Sequence, residues 1–312
     1  MKLFLVGANS PTGRALIEIL RKNKIRFLAP ADKSFDPVDG PAIAKLISDF
    51  APTQLVNMAD FISRNHSALK RAESSERRCE RINALLPETL AEICNKLDIP
   101  MLHLSNVYVF NGEKKLGYNE NDEPNPKGVY GHYSLVGEQA VRKHPSHIII
   151  RSGWLFGKHK IGLIKSWIHS IKKHKGELTV WRRRFSPTST TDMAAAILAV
   201  TRQVDCDANV WGTYHYSGLE IKKEIEFARQ VLKYAANHDE EIYQMLENTK
   251  IRENLPRLPE LPNSTLSSKK MFDTFGIKQK SWHGDLKDTI KTLYVGRLRT
   301  AMDEDSEADI SE

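Results

Sequence analysis

The sequence predicts an α/β protein built on a doubly wound parallel sheet with a small C-terminal lobe. Three observations predict it. Short β-rich runs alternate with helix-like segments through the first half of the chain, the pattern of a parallel sheet with crossover helices. A glycine turn joins the first run to the first helix. After Arg151 the alternation loosens into helices, short strands and a proline-rich loop.

Taken in order, Lys2–Val6 is a continuous apolar run, and Pro11–Lys22 repeats Ala15, Leu16, Ile19 and Leu20 at helical spacing. Ile25–Ala29 reads as a strand, Pro41–Phe50 as a helix and Gln54–Asn57 as a strand, before a long helical region up to Leu97. Met101–Leu104 is the next strand, Tyr130–Lys143 a helix and His147–Arg151 a strand. Beyond it, Ile161–Lys173 reads as a basic helix, and Asp192–Arg202 and Lys222–Ala236 as helices flanking a short strand, Thr213–Tyr216. Pro256, Pro259 and Pro262 stiffen an extended loop. These readings divide the chain into a sheet domain, 1–155, a lobe interleaved with the sheet edge, 156–302, and an acidic tail, 303–312, expected to be disordered.

Composition narrows the function. An apolar share of 40% and a charged share of 27% fit a folded soluble protein. Three cysteines, an odd number without metal-knuckle spacing, point to a reducing, cytoplasmic setting and to no metal site. No apolar run approaches the roughly 18 residues of a membrane span, so no membrane partner is expected. The net charge of +7 is spread along the chain. A site for an anionic small molecule accounts for it as well as nucleic acid does, and nucleic acid is not the expected partner.

The first turn, Gly7-Ala-Asn-Ser10-Pro11-Thr12-Gly13, follows a strand and opens a helix. In that context a glycine pattern marks a Rossmann-like dinucleotide site, with the pyrophosphate at the helix N-terminus. Gly7 permits the tight turn and Gly13 close packing of helix on sheet. The middle position is Ser10, which with Pro11 also makes a good N-cap and first-turn pair, so a well-capped helix and a cofactor site are both consistent with it. Asp32 follows Gly13 by about 20 residues, where an acid meets the adenosine ribose. Lys33 beside it suits a 2′-phosphate, which leaves NADPH and NADH both open.

Further motifs extend over the chain. They are Arg81-Ile-Asn83-Ala-Leu-Leu-Pro87, His103-Leu-Ser105-Asn-Val-Tyr108-Val-Phe110-Asn-Gly112, Asn125-Pro126-Lys-Gly-Val-Tyr130-Gly131 with Gly137-Glu138-Gln139-Ala140, Arg151-Ser-Gly-Trp154-Leu-Phe-Gly157, Phe185-Ser186-Pro187-Thr188 with Asp192-Met-Ala, Gly212-Thr-Tyr-His215, Glu226-Phe-Ala228 and Pro262-Asn263-Ser264-Thr-Leu266. In order and spacing they resemble the dTDP-4-dehydrorhamnose reductase family of extended short-chain dehydrogenases, from about Met1 to Leu293. The resemblance implies NADPH-dependent reduction of the C4 ketone of a dTDP-deoxyhexose for surface-polysaccharide precursors, with a possible homodimer. It also implies a Tyr-x-x-x-Lys pair and an upstream hydroxyl. The tyrosine supplies the proton, the lysine tunes it and holds the nicotinamide ribose, and the hydroxyl polarises the ketone.

The chain departs from that pattern. Tyr130 stands at the tyrosine, but Ser134 replaces the lysine, Asn106 the hydroxyl residue, and Val107 a neighbouring acid. Lys127, Lys158 and Arg151 are the cations expected to substitute for the lysine. By resemblance, Asp36, Ala59 and Leu104 lie with Gly7, Ser10, Pro11, Thr12, Gly13, Asp32, Lys33 and Tyr130 around the cofactor. Asn106, Val107, Trp154, Arg184, Ser186 and Thr188 lie around the sugar nucleotide. Trp154 reads equally as a buried core residue. Arg182-Arg183-Arg184 suits either a diphosphate or a solvated basic turn. Two functions follow: a reductase with weakened catalysis, or a non-catalytic regulatory protein that binds a nucleotide sugar or dinucleotide.

Overall fold

An apolar run with no polar face must be covered on both sides, and Lys2–Val6 (β1) is: Leu3, Phe4 and Leu5 are fully buried. The computed structural model describes residues 1–31, 39–61, 68–206 and 208–308. After β1 come α1 (Pro11–Lys22), β2 (Arg26–Leu28), α2 (Gly40–Phe50), β3 (Gln54–Asn57), α3 (Ala68–Ser74) and α4 (Glu76–Glu80). A π-helical turn, Arg81–Leu85, leads into α5 (Leu86–Leu97), followed by β4 (Met101–Asn106), α6 (Val129–Val141) and β5 (His147–Ser152). These elements realise the sequence-predicted alternation, with bounds shifted by a residue or two.

Six parallel strands form the central sheet in the order β10-β5-β4-β3-β1-β2, where β10 is Gly212–Tyr216. Winding reverses between β1 and β3, and ligands of such sheets bind outside the carboxyl ends of the strands at that reversal. Alternation along β1 sends Leu3 and Leu5 to one face and Phe4 and Val6 to the other. The first pair packs with Leu16 and Leu20 of α1 and Met193 and Ile197 of α8 (Thr190–Val204). The second packs with Ile43 and Ile47 of α2 and Leu90 and Cys94 of α5.

Between β5 and α8 lie β6 (Leu155–Phe156), α7 (Gly162–Lys173), β7 (Glu177–Trp181), β8 (Arg184–Phe185) and β9 (Thr188–Ser189). After β10 come β11 (Lys222–Lys223), α9 (Glu224–Ala235), α10 (Glu240–Met245), β12 (Lys250–Asn254), β13 (Asn263–Ser264), α11 (Lys269–Phe275) and α12 (His283–Ala308). The lobe has its own core, with Phe227 packed on Trp167, Trp282 and Phe185. No cut at residue 155 separates the two cores, because α8, β10 and α11 return from the lobe half of the sequence to the sheet. Backbone helix continues to Ala308, past Asp303, where the sequence reading placed the start of a disordered tail.

Candidate active site

The carboxyl ends of β1, β3 and β4, α6 and the lobe line a cleft open to solvent. Its first wall is the turn after β1. Gly7 has φ +74, and a Cβ there would lie 2.2 Å from the backbone nitrogen of Ala59, so β1 and the β3 exit touch backbone to backbone. A Cβ on Gly13 would sit 2.4 Å from the Gly7 carbonyl oxygen, which lets α1 begin close against the turn. Ser10, Pro11 and Thr12 face the cleft. Ser10 Oγ accepts from the Gly13 amide at 3.0 Å, so one of the helix's unpaired N–H groups is already satisfied by the chain.

The second wall carries the titratable groups. Tyr130, 1% exposed, donates its hydroxyl to Asp60 Oδ1 at 2.9 Å. Burial, and next the Asp60 charge and hydrogen bond, push the Tyr130 hydroxyl well above its ordinary value of 10. The same Asp60 oxygen accepts from Asn83 Nδ2 at 3.1 Å. Asn83 sits in the π-helical turn, a local widening that aims its side chain across to α6. Ser134 Oγ accepts from Asn83 Nδ2 at 3.1 Å and Asn106 Nδ2 at 2.9 Å and donates to the Tyr130 carbonyl at 2.8 Å. Where the resemblance implies an ammonium, the chain has a buried and fully bonded hydroxyl.

The third wall belongs to the lobe. Trp154 faces the cleft and stacks on Phe156 with centroids 6.0 Å apart, edge-on to Phe185 and Phe227. One side of this tryptophan joins the lobe core and the other lines the cleft. Arg183 is buried and paired with Glu224 and Glu260. Burial, and then Glu260, push the Tyr108 hydroxyl up, although Arg183 acts against them.

The cleft brings together Ser10, Pro11, Thr12, Leu104, Asn106, Tyr130 and Trp154, with Gly7, Gly13 and Ala59 shaping its floor and Ser134 behind. Other sequence-predicted residues lie elsewhere. Val107 is packed with Val109 and Phe110 in a satellite core, because the chain turns into a 3-10 helix directly after β4. Ser186 and Thr188 are buried away from the cleft lining: Thr188 Oγ1 donates to the Ser186 carbonyl and accepts from the Gly218 amide. Arg184 is exposed on β8, a strand whose alternation turns Phe185 inward. Of the arginine triplet only Arg183 reaches the cleft, and two carboxylates already neutralise it. The expected substitute cations are engaged too, Lys127 with Glu113, Lys158 with Glu18 and Arg151 with buried Glu138. Asp32, Lys33 and Asp36 lie outside the described residues.

Sequence reasoning missed Asp60, Lys160, Tyr108 and the Arg183–Glu260 pair, which all line the cleft. Asp60 had a signal, an acid just past the carboxyl end of a predicted strand. Lys160, in the run Lys158-His159-Lys160, had none. Among the described residues no metal-ligand cluster occurs and no helix is long and apolar enough to cross a membrane.

Comparison with known proteins agrees with this architecture. The model of the RmlD substrate binding domain matches residues 1–295. A dTDP-4-dehydrorhamnose reductase of Sinorhizobium fredii is 28% identical over 306 residues, 95% of this chain and 98% of its own. The crystal structure of a dTDP-4-dehydrorhamnose reductase from Clostridium acetobutylicum superposes with a TM-score of 0.80 at 27% identity, covering 94% of this chain and 99% of that one. The Bacillus anthracis dTDP-4-dehydrorhamnose reductase, solved in complex with NADP, shares the fold with a TM-score of 0.75 at 24% identity, covering 93% and 98%. The fold, the cleft and a family match over nearly the whole sequence agree: the chain belongs to the RmlD substrate binding domain family.

Proposed function

We propose that this chain is an NAD(P)H-dependent reductase of the C4 ketone of a dTDP-linked deoxyhexose, working slowly. The observation that carries the reading is the Tyr130 hydroxyl, bonded to Asp60 in a cleft that Asn106 and Trp154 also line. The relatives' names and the NADP found with the Bacillus anthracis protein support the same chemistry. The turn at Gly7 and the start of α1 fit a dinucleotide, because backbone approaches backbone there and Ser10–Thr12 face the cleft.

When bound, the reduced dinucleotide supplies a hydride to the carbonyl carbon. Tyr130 gives its proton to the ketone oxygen, which leaves an alcohol and a tyrosinate that water reprotonates. Asn106 uses one amide hydrogen on Ser134 and keeps a second for the ketone. The Trp154 face packs against the sugar ring and excludes water. Slowness follows from Asp60. A tyrosinate formed 2.9 Å from a carboxylate oxygen is disfavoured, and no ammonium at position 134 offsets it.

Incubating the protein with NADPH or NADH and dTDP-4-dehydrorhamnose, and following loss of the reduced nicotinamide, tests the reading. Turnover is expected, and its absence while both ligands bind defeats it. That outcome would establish a second reading, a binding protein without catalysis, which one observation favours: Ser134 completes a closed hydrogen-bond network where catalysis wants a cation.

The Ser10 cap adds a prediction. Ser10→Gly frees the Gly13 amide for a phosphate oxygen, and a serine-to-glycine change at an N-cap costs only a few tenths of a kcal/mol. Dinucleotide affinity is expected to rise several-fold, by about the worth of one hydrogen bond, with the thermal midpoint nearly unchanged. Titration calorimetry and a melting curve check both halves.

A further inference from the structure

Among the described residues the cleft keeps one cation that nothing so far uses. Lys160 lies between β6 and α7 and is half-buried in the lining of the cleft that Asp60 and Tyr130 also line. Among the described residues its ammonium has neither a hydrogen-bond nor an ion-pair partner, unlike Arg183, Lys158, Lys127 and Arg151. Three contacts fix the loop that carries it. A Cβ on Gly157 would lie 2.3 Å from Thr190 Oγ1, so the loop starts tight against α8. The Lys160 amide donates to the Gly157 carbonyl at 2.8 Å. Lys158 and His159 both grip Glu18 of α1, His159 at 3.0 Å. The loop is thereby tied to the helix whose N-terminus faces the cleft, and Lys160 shares that cleft with Ser10–Thr12.

We propose that Lys160 is the cation that holds the dinucleotide in this chain, pairing with its pyrophosphate from the lobe side. The inference rests on the reductase reading and deepens it. An unpaired ammonium in the cleft that the N-terminus of α1 also lines adds a full charge to that helix's partial one. It also explains how a cleft whose one arginine among the described residues, Arg183, is neutralised can accept a polyanion. Burial draws the Lys160 ammonium down from its ordinary range, with Asp60 acting against that. Among the described residues the other charged or titratable groups lining the cleft or anchoring the loop are Tyr130 of α6, Tyr108 after β4, Arg183 and Glu260 of the lobe, and Lys158, His159 and Glu18. Ligand phosphate stabilises the ammonium, so affinity falls as pH rises through the lysine's lowered pKa.

The test is calorimetric titration of NADPH into wild type, Lys160→Ala, Lys160→Arg and, as control, Arg182→Ala, whose side chain is exposed outside the cleft. Lys160→Ala is expected to weaken binding about tenfold or more, the worth of a hydrogen bond to a charged group. Lys160→Arg should restore most of the affinity and abolish its decline in alkali, since a guanidinium does not titrate there. Arg182→Ala should change nothing. Lys160→Ala binding as tightly as wild type, or wild type and Lys160→Arg sharing one pH dependence, overturns the inference and leaves the reductase reading standing. Wild type binding neither NADPH nor NADH overturns both.

Discussion

Replacing Tyr130 by phenylalanine is expected to lower kcat by about 10²–10⁴-fold, the usual worth of a positioned general acid, while dinucleotide affinity stays. The ring keeps its contacts with Leu69, Ala72 and Cys79 and its edge-on packing at 5.4 Å from Tyr108, so the fold around it is undisturbed. Asp60 keeps its hydrogen bond from Asn83. A single-turnover assay in parallel with NADPH titration checks the split, and an unchanged kcat would remove Tyr130 from the chemistry. The companion change Asp60→Asn should act the other way. It removes the charge opposed to the tyrosinate, and each pKa unit recovered corresponds to about 1.4 kcal/mol. The proton donor must be protonated to act, and its pKa lies well above 10, so kcat should show no alkaline loss from Tyr130 below that pH.

The largest effect on stability is expected at Glu138. Its carboxylate, fully buried, accepts from Arg151 at 2.9 and 2.7 Å, from Arg142 at 2.7 Å and from Ser105 at 2.5 Å. Arg151 is 1% exposed. Glu138→Gln leaves that guanidinium buried without a counter-charge, and breaking a buried pair from one side costs about 3–5 kcal/mol. Urea denaturation should show a matching fall in midpoint, whereas a change within about 1 kcal/mol would mean that the pair is nearly neutral. Burial alone would raise the Glu138 pKa, but the hydrogen bonds and charge of Arg151, with Arg142 and Ser105, bring it below the ordinary 4.5. A carboxyl depressed on folding stabilises above its unfolded pKa and loses that contribution as pH falls through the folded one. The wild type should therefore lose stability below about pH 4.5 in a step that Glu138→Gln lacks.

The elements read correctly from sequence are those in which one local rule suffices. The apolar run of β1, the spacing of Leu16 and Leu20 in α1 and the Ser10-Pro11 cap each specify their own stretch without long-range help. Thr213–Tyr216 was legible as a strand, but not as the sheet's sixth, because four residues of alternation say nothing about which edge they join. Asp60 and Lys160 became site residues only when β3 and the loop after β6 were set around one cleft. The arginine triplet failed for a related reason. Adjacent residues on and before β8 point different ways, so a compact basic run on paper divides into one buried partner of two glutamates and two exposed side chains.

The placement of β10 bears on how the chain is made. Until Gly212–Tyr216 has been synthesised, β5 presents an open edge with unpaired amides and carbonyls. One face of the sheet likewise lacks α8. A nascent chain of the first 155 residues therefore has every loop of the cleft up to Trp154 but only five of the six strands of the sheet that carries them. Completing the sheet waits for more than two thirds of the protein, and a fragment that stops before Gly212 leaves the inner strand β5 as an edge able to recruit other chains.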